Sequence, residues 1–302
     1  MSVDLRVNFA GLEMKNPVTT ASGTFAARES SEFYDLSRLG AVITKGVAAE
    51  PWAGNPTPRI AETYGGMLNA VGLQNPGAEA YLEKELPFLA NYDVPVIANL
   101  AGHSIDEYCA VTEKLNDSSV SMFELNISCP NVKQGGIGFG TDPAMAAAVV
   151  KAVKEVSKKP LIVKLTPNVT DITAIARAVE EAGADAISLI NTLMGMRIDL
   201  RSRKPILANV TGGFSGPAIK PVALRMVYQV RRAVSLPILG LGGIMSGEDA
   251  AEFLMAGADA VAVGTAALVN PTAPVDVVEG LRSFMEREGF ANIAELKAAF
   301  RG

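Results

Sequence analysis

Eight times along this 302-residue chain, a short apolar run is followed by a longer amphipathic stretch, and few architectures accommodate that pattern. The runs are Val18–Ala21, Ala41–Lys45, Val94–Asn99, Met122–Ile127, Leu161–Leu165, Ala186–Asn191, Ile238–Leu241 and Ala260–Val263. Their length and apolar character suit strands buried on both faces of a parallel sheet. Helical patterns follow near residues 28–39, 76–91, 104–116, 143–158, 171–182, 221–234, 246–256 and 274–288. Start signals agree: Asp142-Pro143 supplies an N-cap and a first-turn proline, and Thr170 and Ser246 can cap the helices they precede. Such alternation gives either a closed (β/α)8 barrel or a doubly wound sheet. The count of eight, with no complete Gly-x-Gly-x-x-Gly after any strand, selects the α/β class and a (β/α)8 TIM barrel.

Details of the chain fit that choice. Residues 3–17 read as a short N-terminal hairpin, with Gly11 at the turn and Asn16-Pro17 closing it. Ala182–Leu189 and Ala256–Val263 repeat one another, each a helix end, a glycine for a left-handed turn, then a buried strand. No linker divides the chain, which reads as one domain over residues 1–302. Three βα connections are long, 46–75, 128–141 and 192–220, and in a barrel all would rise at the C-terminal face where such enzymes hold their sites.

Composition narrows the function. Hydrophobic residues make up 49% of the chain, enough for the core of a barrel of about 250 residues plus insertions. Twenty-seven basic residues against 32 acidic ones give a net charge of −5. The basic residues are scattered, and pairs such as Lys158-Lys159 and Arg231-Arg232 read as solvated helix ends, so no nucleic-acid partner is expected. Two cysteines cannot supply the thiolates of an iron–sulfur cluster or a disulfide framework. With no membrane-length apolar run and no signal sequence, a soluble, cytoplasmic protein without membrane attachment is expected.

The chemistry concentrates at strand ends. After Met122–Ile127, Pro130 forbids further ladder pairing and holds Cys129 extended, and Gly135-Gly136-Ile137-Gly138 follows. A thiol flanked by the amides Asn126 and Asn131 therefore sits on a glycine-rich loop at a strand's C-terminal end. A buried structural cysteine is the plain alternative, but a Ser-Cys-Pro-Asn turn followed by glycines makes a poor core segment. Cys109, on the helical stripe of Ile105, Tyr108 and Thr112, reads as core. Lys45 ends one apolar strand and Lys164 lies inside another; a buried ammonium needs an anion or an electron-rich acceptor. An ion pair with Glu124 could satisfy Lys164, but it cannot serve both lysines.

Amides and glycines complete the set. Asn99, Asn126 and Asn191 end three strands, with Asn69 and Asn131 in adjoining loops, an arrangement suited to a planar ligand bearing carbonyl and N–H groups. Glycines at 212, 213 and 216, at Gly240, Gly242 and Gly243, and at Gly264 beside Thr265 let backbone N–H groups approach an anion, and the last two clusters follow strands seven and eight, where barrels bind phosphate. His103, the only histidine, has no partner evident in the sequence and reads as loop structure. Neither a zinc site nor Ser-His-Asp hydrolysis is expected.

These motifs, in this order, make the chain similar to the dihydroorotate dehydrogenases, flavin enzymes of pyrimidine synthesis. The resemblance spans nearly the whole chain. It rests on Ala21-Ser22-Gly23, Thr44-Lys45-Gly46, Asn55–Arg59, Asn69–Asn75, Asn126–Asn131, Val163-Lys164-Leu165, Asn191-Thr192, Gly212–Pro217, Gly240–Ile244 and Gly264-Thr265. Barrels such as the pyrimidine-reducing catabolic enzyme share some of these but are much longer chains. The resemblance implies one FMN per chain, its phosphate held at Gly216, Gly242, Gly243, Gly264 and Thr265, and its ring surrounded by Ser22, Lys45, Gly46, Asn99, Asn126, Lys164 and Ile190. It implies that dihydroorotate is held by Lys45, Asn69, Ala70, Val71, Gly72, Leu73, Asn126, Asn131, Asn191 and Thr192. Lys45 would meet the substrate carboxylate, Lys164 would favour the reduced ring, and Cys129 would take the C5 proton as hydride leaves C6.

A cysteine base and no amphipathic N-terminal extension resemble class 1 of the family. Asn69–Gly77 and Ser215–Pro221 resemble its B-type catalytic subunit, which passes electrons to NAD through a partner carrying FAD and an iron–sulfur cluster. Two catalytic and two electron-transfer subunits would then form a heterotetramer. The alternatives are an A-type homodimer reducing fumarate, and a non-redox phosphate-binding isomerase or aldolase using Lys164 as a Schiff base.

Overall fold

The computed structural model describes residues 3–128 and 138–302. All eight expected strands form, as Val18–Thr20, Val42–Ile43, Val96–Leu100, Met122–Asn126, Leu161–Lys164, Ala186–Leu189, Ile238–Leu241 and Ala260–Val263. They pair in parallel around a ring in which the first strand neighbours the eighth and the third neighbours the second. A bridge between Thr19 and Ala41 joins the first strand to the second. Beside it the Ile43 N–H donates to the Thr20 hydroxyl at 2.9 Å, and that hydroxyl donates to the Ile43 carbonyl at 3.1 Å. This seam closes a (β/α)8 TIM barrel.

Strand periodicity sorts the side chains into two cores. Val96, Phe123, Leu161, Ile187 and Val261 face outward onto the helices. Ile97, Met122, Ile162, Ala186 and Ala260 face inward, in one cluster with Phe9 and Met14. Those last two come from the hairpin of Val7–Phe9 and Leu12–Met14, which turns through Ala10 and Gly11 at φ 49° and 87°. Two successive positive φ values characterise a tight primed turn. The hairpin stoppers the N-terminal mouth, packing Phe9 and Met14 against the inward-facing residues there. Two residues farther along four of the strands the inward positions turn polar, as Asn99, Glu124, Lys164 and Ser188, none more than 5% exposed.

Helices follow the strands with local departures. The stretch expected as one helix over 28–39 is a short helix Ala27–Ser31 and a 3-10 turn Leu36–Arg38. Ser31 donates to the Arg28 carbonyl and Asp35 accepts the Ser37 N–H, local bonds that compete with helix continuation. Over 76–91, helical residues run from Gly77 to Leu89 with a wide π turn at Tyr81–Glu85, next to Pro87, which cannot donate. Ile172–Glu181 is capped by Asp171 rather than Thr170; the Asp171 carboxylate accepts the Thr173 N–H at 2.8 Å. Asp142 and Ser246 cap as expected. In the repeat, Gly183 and Gly257 take φ of 94° and 115°. Each following aspartate then accepts the first N–H of the neighbouring strand: Asp185 from Leu161 at 2.7 Å, Asp259 from Ile238 at 2.9 Å. Arg231 is not a solvated end, since it lies against Asp259 at 3.4 Å and donates to the Val234 carbonyl at 2.7 Å.

The loops 46–75 and 192–220 are not irregular. They form an antiparallel sheet above the barrel, in the order Leu193–Met196, Thr211–Ser215, Gly66–Asn69, Ile60–Thr63. Its glycines allow close approach: a Cβ on Gly213 would lie 2.1 Å from the Thr192 hydroxyl, and one on Gly66 2.0 Å from the Ser215 carbonyl. Among the described residues no helix is long and apolar enough to cross a membrane.

Candidate active site

With one mouth stoppered, a cavity opens at the other, with Lys164 at its floor above the buried polar layer and the added sheet as its roof. Lys164 reaches the cavity from the fifth strand. Its Nζ lies 3.5 Å from the Ser22 hydroxyl and 3.8 Å from Glu124 Oε2, the ion pair that stood in the sequence as the alternative to a ligand. Behind it the fully buried Glu124 accepts from Asn99 Nδ2 at 2.6 Å and from the Ser188 hydroxyl at 2.7 Å. Asn99 Oδ1 is the one buried side-chain polar atom among the described residues left without a hydrogen bond. Lys45, half-buried, borders the same cavity.

Beside the lysines, the amides form a network. Asn126 Oδ1 accepts from the Ser128 hydroxyl at 2.6 Å and from Asn191 Nδ2 at 3.3 Å, while Asn191 Nδ2 also donates to the Ser128 oxygen. The buried Tyr108 hydroxyl donates to the Asn126 carbonyl at 2.6 Å and fixes the strand end from behind. Asn69 Nδ2 reaches the Gly213 carbonyl at 3.4 Å, tying the roof together. The network therefore presents donors and acceptors on short, braced arms, with little side-chain entropy left to lose when a ligand binds.

Glycine turns make the opposite wall. Gly216, Gly242 and Gly243 have φ of 114°, 124° and 84°, which L side chains rarely adopt. Cβ atoms there would crowd protein rather than fill the cavity: 2.6 Å from the Gly66 Cα, 2.8 Å from the Ala223 Cβ and 2.8 Å from the Lys220 backbone nitrogen, respectively. Gly264 differs, with no positive φ and a Cβ position 3.4 Å from the Ala21 methyl as its nearest contact. Thr265 donates its hydroxyl to Ser215 at 2.8 Å. Lys220 Nζ bridges Asp249 at 2.6 Å and Glu252 at 2.9 Å, and Asp249 accepts the N–H groups of Met245 and Ser246. Burial pushes the Asp249 carboxyl up, but the Lys220 ammonium and the Met245 N–H outweigh it and hold it below the usual carboxylate range.

Comparison with known proteins supplies the family. A model of the dihydroorotate dehydrogenase family matches residues 4–285. The chain belongs to that family. It is 63% identical over 298 residues to the dihydroorotate dehydrogenase B (NAD(+)) catalytic subunit of Alkaliphilus metalliredigens, covering 98% of this chain and 99% of that one. Proteins of the same name from Lachnoclostridium phytofermentans and Bacillus pumilus are 58% and 56% identical, over 97% and 96% of this chain and 98% and 94% of theirs.

Of the residues singled out in the sequence, Ser22, Lys45, Gly46, Asn69, Ala70, Val71, Gly72 and Leu73 border the cavity. So do Asn126, Lys164, Ile190, Asn191, Thr192, Gly216, Gly242, Gly243, Gly264 and Thr265. Asn99 does not; it lies fully buried beneath the floor. Cys129 and Asn131 fall outside the described residues. Sequence reasoning missed Ser128, Asn168 and Ser215, which also line the cavity. Asn168 fastens the roof, donating to the Thr192 carbonyl at 3.0 Å and accepting the Met194 N–H at 2.9 Å. The signal for it was available, since it follows a strand as Asn191 does. His103 has partners after all: it stacks on Trp52 with centroids 3.8 Å apart and meets Glu107 at 3.2 Å. Both lie outside the cavity wall.

Proposed function

We propose that this chain oxidises dihydroorotate to orotate as the catalytic subunit of an NAD-linked dihydroorotate dehydrogenase, with one FMN in the barrel mouth and residues 1–302 acting as a single domain. The observation that carries this reading is the meeting of Lys164, the Asn126–Ser128–Asn191 network and the glycine turns at Gly216, Gly242, Gly243 and Gly264 on one cavity. The donor set fits FMN. Glycine turns beside the Thr265 hydroxyl suit a phosphate, an ammonium suits the electron-rich end of a flavin, and the braced amides suit a pyrimidine's carbonyl and N–H groups. The names of the relatives point the same way.

In this reading Ser22, Lys45, Gly46, Asn126, Lys164 and Ile190 surround the ring, with Asn99 supporting it from beneath. Bound there, FMN supplies the acceptor for the hydride that leaves the substrate. Lys45, Asn69 to Leu73, Asn126, Asn131, Asn191 and Thr192 hold dihydroorotate, with the Lys45 ammonium on its carboxylate. Cys129 removes the C5 proton as the general base. The Lys164 ammonium favours negative charge on the ring by direct attraction. Electrons leave through a partner subunit carrying FAD and an iron–sulfur cluster, in a heterotetramer of two catalytic and two electron-transfer subunits, in the cytoplasm. Anaerobic mixing of the purified chain with dihydroorotate is the test: the yellow flavin absorbance should bleach as orotate forms. A colourless chain, or a flavin that dihydroorotate leaves oxidised, overturns the reading.

A further inference from the structure

Four side chains from neighbouring strands meet beneath the cavity, and one of them, Glu124, has no part in the reading above. It is 0% exposed, where a lone carboxylate is strongly disfavoured. Its surroundings are all donors: the Ser188 hydroxyl on Oε1 at 2.7 Å, the Asn99 amide on Oε2 at 2.6 Å, and the Lys164 ammonium 3.8 Å from Oε2. Such a set fits the ionised acid. Lys164 therefore borders the cavity with its counter-ion directly behind it, and a ligand above feels the difference of two charges rather than one. Water and salt screen neither charge effectively at this depth.

A second observation makes the arrangement more than a buried ion pair. Because Asn99 gives its Nδ2 to Glu124, its Oδ1 is turned away and left unpartnered. That oxygen faces Gly46 in the cavity wall, where an added Cβ would come within 2.9 Å of it. Glu124 thus orients two groups at once, one cationic and one accepting.

We propose that Glu124 is a positioning residue: it holds the Lys164 ammonium at the cavity floor, offsets part of that ammonium's field, and so sets the reduction potential of the flavin. The inference rests on the FMN reading given above. Removing the acid's charge leaves Lys164 uncompensated and favours the reduced ring. Midpoints of the purified flavoproteins, read spectroscopically against reference dyes, test it. Glu124→Gln keeps the shape and should raise the reduced-to-oxidised ratio at the parent midpoint about tenfold, about 30 mV for a two-electron couple. Glu124→Asp draws the carboxylate back by one methylene and should shift the midpoint in the same direction by less. It carries the test if the glutamine variant does not fold. Ser188→Ala removes a hydrogen bond but no charge, so it should lower thermal stability and leave the midpoint in place. Glutamine and aspartate variants at the parent midpoint, or below it, overturn the inference. So does a Ser188→Ala shift as large as theirs, which would make the effect structural. A parent chain that takes up no FMN overturns the reading of the site and this inference with it. A parent that holds FMN alongside unshifted variants overturns this inference alone.

Discussion

A cysteine thiol is mostly protonated at neutral pH, so one acting as a base works better as the pH rises toward its ionisation. Flavin reduction by dihydroorotate should accordingly rise with pH and level off when Cys129 is deprotonated. Cys129→Ser should keep FMN and orotate binding yet lose about 10²–10⁴-fold in the reduction step, the usual contribution of a general base. Cys109→Ser is the control. That thiol is half-buried in the helix Ile105–Leu115, and burial raises its ionisation above the ordinary thiol range. Its loss should cost stability at most. Anaerobic stopped-flow of both variants decides: parent-like reduction by Cys129→Ser, with an unchanged pH profile, removes the thiol from the mechanism. The polar residues legible in the sequence share one property, an expensive group at the end of an apolar run, as with Lys164, Asn126 and Asn191. Asn99 shows the limit of that rule. Its strand position does not show that its amide turns to Glu124 and leaves the side-chain oxygen on the side of Gly46.

The glycine turns separate packing from ligand approach. At Gly243 a side chain meets the Lys220 backbone at φ 84°, so Gly243→Val should damage the fold, with about 1–2 kcal/mol from the left-handed conformation alone. Gly264 has the room and ordinary φ that Gly243 lacks. Gly264→Val should therefore fold, at a cost of about 1 kcal/mol, and hold FMN at least tenfold more weakly; circular dichroism and flavin fluorescence measure the two effects separately. A stable Gly264→Val variant with parent affinity would move the phosphate elsewhere. The Lys220–Asp249 bridge ties the segment after Gly216 to the segment after Gly243, and its pH dependence has a definite sign. The folded-state pKa of Asp249 is depressed, so its stabilisation is present above the unfolded value and is lost as pH falls through the folded one. Asp249→Asn should lower the melting temperature at neutral pH, and the gap to the parent should close in acid. A gap that stays constant with pH would mean that the carboxylate's charge contributes nothing. Periodicity made the barrel strands and most helices legible here, because burial on both faces leaves a continuous apolar run. The added sheet was not legible. Thr211–Ser215 carries Gly212 and Gly213, poor strand formers that are needed because neighbouring groups approach within 3 Å of where their side chains would be.

Barrel closure was legible from the count of eight strands and the absence of a dinucleotide fingerprint; the seam at Thr19, Thr20, Ala41 and Ile43 was not, since it depends on a hydroxyl replacing a ladder bond. The missing fingerprint and the cysteine count, carried to the molecule as a whole, bear on where electrons go. A flavin reduced once per turnover must be reoxidised once per turnover. An iron–sulfur relay needs several thiolates, and this chain has two cysteines, one packed in a helix and the other assigned to proton transfer. Binding NAD in the usual way needs a glycine-rich turn opening a helix after a strand, and the glycine turns here already line the cavity assigned to FMN. The purified chain with dihydroorotate should therefore reduce an artificial dye but neither NAD nor fumarate. Adding an electron-transfer subunit with FAD and an iron–sulfur cluster should restore NAD reduction while leaving the dye rate unchanged, because the substrate half-reaction is complete without it. Each acceptor reports on a different assignment. NAD reduction by the chain alone would give this barrel a second nucleotide site and end the two-subunit proposal. Fumarate reduction by the chain alone would instead return both half-reactions to the one cavity, alternating there between dihydroorotate and fumarate.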